Sequence, residues 1–381
     1  MRSAPDLDPA VFYGSTILRS YADAWYDGES TAEDLPIVGG SIDGDSDADV
    51  RHTLTVTVAD PDGRLVPRAA TDPLAVFGQE LKVSMSVLGL GYADATPTGL
   101  GWFRIQVARP KERWMRSAGV WRHGGATIEL ECLDRMQILA DYRFIVAEQP
   151  PAGATVVSEI RRLVEDLVPI GEIDGALTDA PVPAGTVYQD DRVSALQALA
   201  RSIGGNLIVD SEGSLRLVRP TQYGAIPVWT FQVGEGGDIV DYATELTRDG
   251  VINAVVATGD ADTDHAPVQG IAYDTDPASP TRWGGPFGRV PLGYSSPLLT
   301  TPGQAGQAAA TRLANYRRGR EREIPITCPP NYLLELDDPV AVVLPDRTMQ
   351  GRIVRLSLPL RPGRMSVTVR ALDTSTIEVA T

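Results

Sequence analysis

Thr53-Leu54-Thr55-Val56-Thr57-Val58 alternates hydroxyl-bearing and apolar side chains without a break. Successive residues of a strand face opposite sides, so Leu54, Val56 and Val58 share one face and the threonines the other, the pattern of a half-buried β-strand. On the C-terminal side the scheme returns in Leu81-Lys82-Val83-Ser84-Met85-Ser86-Val87, in Phe103-Arg104-Ile105-Gln106-Val107 and in Thr127-Ile128-Glu129-Leu130-Glu131-Cys132. Asp60-Pro61-Asp62-Gly63 and the glycine-rich run from Gly89 to Gly101 lie between these segments and read as turns and loops. The region from about residue 37 to 132 is therefore predicted to be an antiparallel, barrel-like β domain.

The period then lengthens. Val156, Val157, Ile160, Leu163, Val164 and Leu167 recur at helical spacing, with Thr155 placed as N-cap and Pro169 past the end. A second helix opens at Asp190 or Asp191, carries Val193, Leu196, Leu199, Ala200 and Ile203 on one face, and stops at Gly204-Gly205. Asn206-Leu207-Ile208-Val209-Asp210 and Ser214-Leu215-Arg216-Leu217-Val218 flank Ser211-Glu212-Gly213 as a hairpin. Together these segments predict a small α+β domain.

Beyond about residue 240 strands return, at Ile324 to Thr327, Val340 to Leu344, Arg352 to Leu358 and Arg364 to Leu372. They follow a polar stretch from Thr258 to Thr301, rich in Asp, Gly, Pro and Ser, whose length without periodicity reads as a functional loop or a poorly ordered arm. A helix is expected from Gln304 to Arg318. The expected fold class is mainly β with an α+β insertion. The domains are 1–150, 151–238 and 239–381, the last carrying the loop 258–301 and the helix 304–318.

A chain of 381 residues exceeds what one core normally supports, which agrees with several domains. With 43% hydrophobic and 22% charged residues it is expected to fold. Its formal charge of −16, from 34 Lys and Arg against 50 Asp and Glu, is opposite to that of a free nucleic-acid binder. Sequence-specific nucleic-acid binding is therefore not expected. Cys132 and Cys328 lie far apart and offer neither a disulfide framework nor paired zinc-ligand spacing. The start, Met1-Arg2-Ser3-Ala4-Pro5-Asp6, lacks the apolar core of a signal peptide, and no membrane span is expected.

Candidate chemistry is sparse, and no cofactor or metal is expected. Asp43-Gly44-Asp45-Ser46-Asp47-Ala48-Asp49 has the alternating carboxylates of a calcium loop. Ala48 and Leu54, however, stand where that loop needs Gly and Glu, so a solvated turn is the better reading. His52, His123 and His265 are isolated, outside any chelating pair. There is no Gly-x-Ser-x-Gly elbow, phosphate loop or dinucleotide fingerprint. Glu129 and Glu131 share a strand face beside Asp134, and two carboxylates about 5 to 9 Å apart suffice for glycoside cleavage. The plainer reading is a solvated strand face. Arg317-Arg318-Gly319-Arg320-Glu321-Arg322 ends a helix, where cations complement the dipole, and reads as a salt-bridging terminus.

Several strings carry a family resemblance. Gly39-Gly40-Ser41-Ile42 through Val50-Arg51-His52-Thr53-Leu54 is followed by Asp72-Pro73-Leu74-Ala75-Val76-Phe77-Gly78-Gln79-Glu80-Leu81 and by Leu100-Gly101-Trp102-Phe103-Arg104-Ile105. Then comes Glu131-Cys132-Leu133-Asp134-Arg135, leading to the helix after Pro151-Ala152-Gly153. In order and spacing these resemble minor tail proteins of phages that infect actinobacteria, with His52 replacing that family's second basic residue. Further on, Ala195 to Ala200, Gly204 to Asp210, Gly213 to Val218 and Asp249 to Gly259 are similar to the wider group of tail-hub, or baseplate-hub-like, proteins.

The resemblance implies two tail-tube-like antiparallel β-barrel domains and a small helix-hairpin domain, assembled as a homotrimer whose six barrels form a ring. It implies a non-enzymatic hub of a long, non-contractile tail, synthesised in the host bacterial cytoplasm and located at the virion's tail tip. Its partners would be the distal tail protein or tail tube above, tail tip or fibre proteins below, and the tape-measure protein's end in the lumen. An acidic lumen would suit a channel for DNA ejection, since it avoids tight non-specific binding. Three alternatives stay open. They are a sixfold distal-tail or adaptor ring, a tail-associated cell-wall hydrolase using Glu129, Glu131 and Asp134, and a receptor-binding tail tip module using loop 258–301.

Overall fold

Period-2 segments like Thr53 to Val58 build the largest sheet of the molecule. The computed structural model describes residues 1–381 except 5, 14–15, 89–95, 183–184, 190, 222–224, 244–250, 260–267, 278, 296–298, 300, 319–320 and 374–381. His265, Asp190, Gly319 and Arg320 thus lie outside the described residues, as do parts of the Gly89 to Gly101 run and of the stretch 258–301. In chain order the first elements are β1 (Ile17–Tyr26), β2 (Glu29–Ala32), β3 (Ile37–Asp45), β4 (His52–Asp60), β5 (Glu80–Leu88), β6 (Thr98–Ser117) and β7 (Val120–Asp134). Next come α1 (Met136–Asp141), α2 (Val156–Val164), β8 (Ile170–Ile173), α3 (Arg192–Ser202), β9 (Asn206–Val209), β10 (Leu215–Val218), β11 (Trp229–Gln232) and β12 (Asp241–Tyr242). The last are β13 (Ala254–Thr258), β14 (Gln269–Tyr273), β15 (Pro291–Ser295), α4 (Pro302–Arg318), β16 (Glu321–Cys328), β17 (Pro339–Val343), β18 (Thr348–Pro359) and β19 (Met365–Asp373).

The protein is mainly β. A 13-stranded sheet runs in the order β12-β16-β19-β18-β3-β4-β7-β6-β5-β1-β2, with β17 joining at β18 and β11 at β17. The described pairings follow an open path from β12 to β2. On β4 the reading of the sequence holds residue by residue. Leu54, Val56 and Val58 are buried, while Thr53, Thr55 and Thr57 alternate with them at the surface. Each such apolar side chain contributes about 1.5–3 kcal/mol by leaving water. At Gly40, opposite Val56, β3 approaches β4 with φ of +139°. On its other side β3 pairs with β18, Ser41 opposite Pro359 and Asp45 opposite Arg355.

A separate core gathers α1, α2, α3 and the three-stranded sheet β8-β10-β9, through Leu139, Ile160, Leu163, Leu196, Leu207 and Leu217. Thr155 caps α2 as its spacing predicts, its hydroxyl accepting from the Ser158 N–H at 3.3 Å while the Ser158 hydroxyl accepts from the Thr155 N–H at 2.9 Å. The helix stops at Val164, short of Leu167, because Glu165 adopts a positive φ of 52°. Leu167 is consequently surface-exposed and the neighbouring Val168 takes the core position.

Asp191 caps α3, its carboxylate accepting from the N–H groups of Val193 at 3.0 Å and Ser194 at 3.2 Å. A further hydrogen bond from the Ser194 hydroxyl holds the Asp191 carboxyl below its ordinary range. A carboxyl lowered in the folded state stabilises above its unfolded pKa and loses that contribution as the pH falls through its folded pKa. Asp191→Ala is expected to cost about 1 kcal/mol at neutral pH. Denaturant titrations of both chains at falling pH should show the gap closing in the acid range.

The chain divides into two compact units, residues 1–242, 325–345 and 352–369 in the first, and 243–324, 346–351 and 370–381 in the second. In the second, β13 sits between antiparallel β14 and parallel β15. Ala305, Ala309 and Leu313 of α4 pack on Val255 and Ala257. The stretch 258–301, expected as a loop or arm, therefore contains two strands, β14 and β15. A buried polar knot orders the turn between them. The Asn253 side chain donates to the Thr281 carbonyl at 3.0 Å and the Gly288 carbonyl at 2.8 Å. Asp274 accepts from the hydroxyls of Ser279 at 2.6 Å and Thr281 at 2.8 Å. Asp, Gly, Pro and Ser conceal such strands because the ordering comes from hydrogen bonds and not from an apolar period.

Candidate interaction surfaces

The carboxylates of Glu129 and Glu131 are held by cations of the neighbouring strand, β6. Glu131 accepts from the Arg109 guanidinium at 2.5 Å, and Glu129 from the Lys111 ammonium at 3.3 Å. The Arg109 hydrogen bond holds the Glu131 carboxyl below its ordinary range, opposite to the shift a general acid needs. Asp134 is buried, and it accepts from the backbone N–H groups of Arg51 at 3.1 Å, His52 at 2.8 Å and Met136 at 2.9 Å. It ties the start of β4 to the start of α1 and does not face the other two carboxylates' solvent side.

His52, His123 and the Asp43 to Asp49 run take part in structural contacts. His52 lies 3.5 Å from Asp134, and His123 lies 3.3 Å from Glu112. In the Asp43 to Asp49 run the Asp47 N–H donates to Asp45, which also meets Arg355 at 3.3 Å, so the run forms the turn between β3 and β4. Just past the basic cluster, Glu323 accepts from Arg370 at 2.8 Å. Both thiols are buried, which pushes Cys328 up to about 12 and Cys132 higher still. Among the described residues no helix is long and apolar enough to cross a membrane.

Three of the family-like strings meet at one junction. Arg135 donates to both Glu80 oxygens, Nε to Oε1 at 2.8 Å and Nη2 to Oε2 at 2.7 Å. Its guanidinium carbon lies 4.2 Å from the Trp102 ring centroid, and Nη1 reaches the Gly213 carbonyl at 3.3 Å. β5, β6 and the β9–β10 turn are therefore clamped on one side chain. The fourth string, through Arg51, reaches the C-terminal part of the chain, with Arg51 donating to Asp337 at 2.5 Å.

Three solved structures align with nearly the whole chain. They are the tail protein from Neisseria meningitidis MC58 (TM-score 0.59, 14% identity, 93% of this chain and 97% of that one) and the 43 kDa tail protein of prophage MuSo2 from Shewanella oneidensis (0.59, 12%, 94% and 98%). The third is the prophage tail protein gp18 from Listeria monocytogenes EGD-e (TM-score 0.53, 10% identity, 92% of this chain and 94% of that one). The chain has the fold of phage tail proteins. Neither a protein-family model nor a curated protein sequence matches it.

One further surface stands out. β6 and β7 pair from Phe103 opposite Asp134 to Ser117 opposite Val120. β5 accompanies β6 only from Thr98 to Arg104, and β4 accompanies β7 only from Ala126 to Leu133. Beyond those residues the two strands have only each other among the described pairings. At the tip Trp114, Met115, Val120 and Trp121 are 51%, 53%, 60% and 63% exposed. The Ala118-Gly119 turn closes this hairpin with φ of 51° and 81°, two successive left-handed residues that a two-residue hairpin turn requires.

Proposed function

We propose that this protein is a structural subunit of a bacteriophage tail, the hub at its distal end, related to minor tail proteins of actinobacteriophages. The observation that carries the reading is the extent of the fold match, which takes in more than nine-tenths of this chain and of each tail protein compared. The pairing of Glu129 with Lys111 and of Glu131 with Arg109 further favours assembly over hydrolysis.

In this reading the three parts 1–150, 151–238 and 239–381 correspond to a tube-like β domain, a helix-hairpin insert and a second tube-like β domain. Three copies form a ring of six such domains, which matches a threefold hub to a sixfold tube. The ring joins the distal tail protein or tube to the tip proteins, receives the end of the tape-measure protein and conducts DNA at ejection. The chain's charge of −16 suits a conduit, because an acidic wall does not hold phosphates.

Copy number tests the proposal. Sedimentation of the purified chain, or counting in density of the intact particle, is expected to give three copies. A stable monomer that cleaves cell-wall polymer would overturn the hub assignment and return attention to Glu129 and Glu131.

A further inference from the structure

The β6–β7 tip has a composition unlike the rest of the chain. From position 109 to 122, Arg109, Lys111, Arg113, Arg116 and Arg122 stand against Glu112 alone, in a protein of net charge −16. The register places Trp114 opposite His123 and Arg116 opposite Trp121, so these four side chains share one face. Trp114 and His123 meet edge to face with centroids 5.1 Å apart, and the Arg116 guanidinium lies 6.0 Å from the Trp121 centroid. Met115, Arg122 and Val120 occupy the opposite face. Exposed tryptophan set among arginine is the composition that dominates protein–protein binding energy. A two-stranded arm reaching about 16 Å over its last five residues cannot bury those rings by itself.

A complementary surface exists on the same chain. The sheet path ends at β2, whose outer edge has no strand beside it among the described pairings. Around it Asp27, Glu29 and Glu33 are all exposed, Asp34 is paired with Arg19 at 2.8 Å, and no Lys or Arg occurs between positions 23 and 34. The edge does not cover the tip within one chain, since Trp114 and Trp121 remain more than half exposed.

We infer that the β6–β7 tip of one copy docks on the acidic β1–β2 edge of the next copy. The two surfaces differ, so the contact is head-to-tail, the kind that closes into a ring when the rotation between copies allows it. It would also cover an open strand edge that otherwise invites unspecific pairing. The inference rests on the ring assembly proposed above and names the surfaces that would make it.

Charge exchange tests it on the full-length chain. In sedimentation velocity, the combined Arg113→Glu, Arg116→Glu and Arg122→Glu variant is expected to associate at least about 100-fold more weakly than the native chain. Asp27→Lys, Glu29→Lys and Glu33→Lys together should do the same, and a mixture of the two variant chains should regain mixed assemblies. Trp121→Ala, which leaves the charge unchanged, should weaken association by about 10-fold or more. Unchanged far-ultraviolet circular dichroism would confirm folding, since every position is at the surface. A native trimer that neither reversal dissolves would overturn this contact and leave the ring standing. A native chain that stays monomeric would overturn both. Duplex DNA retained by the native chain but not by the arginine variant would reassign the tip to phosphate binding and overturn the inference.

Discussion

The Arg135→Ala chain is expected to be about 3 kcal/mol less stable than the native one, read as a lower denaturant midpoint. Arg135 and Glu80 are 14% and 17% exposed, so their two hydrogen bonds operate largely out of water. Removing the guanidinium leaves the Glu80 carboxylate half-desolvated without its partner, strips the face of Trp102 and releases the Gly213 carbonyl. A cycle with Glu80→Ala separates these contributions. If the ion pair dominates, the double variant will lose much less than the two single losses together. Additive losses would show instead that the stack on Trp102 and the contact to Gly213 carry the effect. The β9–β10 turn is expected to loosen first, seen as faster amide exchange around residues 210–214, because Arg135 holds the Gly213 carbonyl.

Gly40→Ala is the second large effect, about 4 kcal/mol of destabilisation or failure to accumulate folded protein. A Cβ at this position would stand 2.3 Å from the Thr55 carbonyl oxygen and 2.9 Å from the Val56 Cα, both rigid backbone atoms. The φ of +139° adds strain for any L side chain. Relief would require β3 to move off β4, disrupting a pairing that extends from Ile37 to Gly44. The neighbouring Gly39 is the control, since a Cβ there meets nothing within 4 Å. Gly39→Ala should be neutral or stabilising by about 0.5 kcal/mol. Similar losses at both positions would refute the steric account.

These two sites show what was legible in the sequence and what was not. Strands β4 and β5, helices α2 and α3, and the β9–β10 hairpin could be read because each buries one regular face or carries a cap, as at Thr155 and Asp191. The β6–β7 arm was missed because residues 113–116 and 118–122 face solvent on both sides, so no apolar alternation marks them. β1 escaped notice because its buried positions are the small Ala22 and Ala24, which give only weak contrast. β14 and β15 were hidden in polar sequence held by Asn253 and Asp274.

The candidate carboxylates were correctly placed on one strand, but their ion pairs depend on the β6–β7 register, which is a tertiary fact. Gly40, Glu80, Trp102 and Arg135 were visible as family-like strings without a mechanism. Their geometry supplies one, a forced close approach at Gly40 and a clamp among the other three.

The pairing of β18 with β3 has a consequence in time. Asp45 and Arg355 are 310 positions apart, yet they belong to one ladder. During synthesis β3 emerges early and has to wait, one edge bare, until β18 has left the ribosome. Contacts of such sequence separation slow folding, and an uncovered strand edge is where nascent chains aggregate. Chains halted before residue 359 should therefore collect in the insoluble fraction, and the yield of soluble protein should rise when elongation outpaces nascent-chain association.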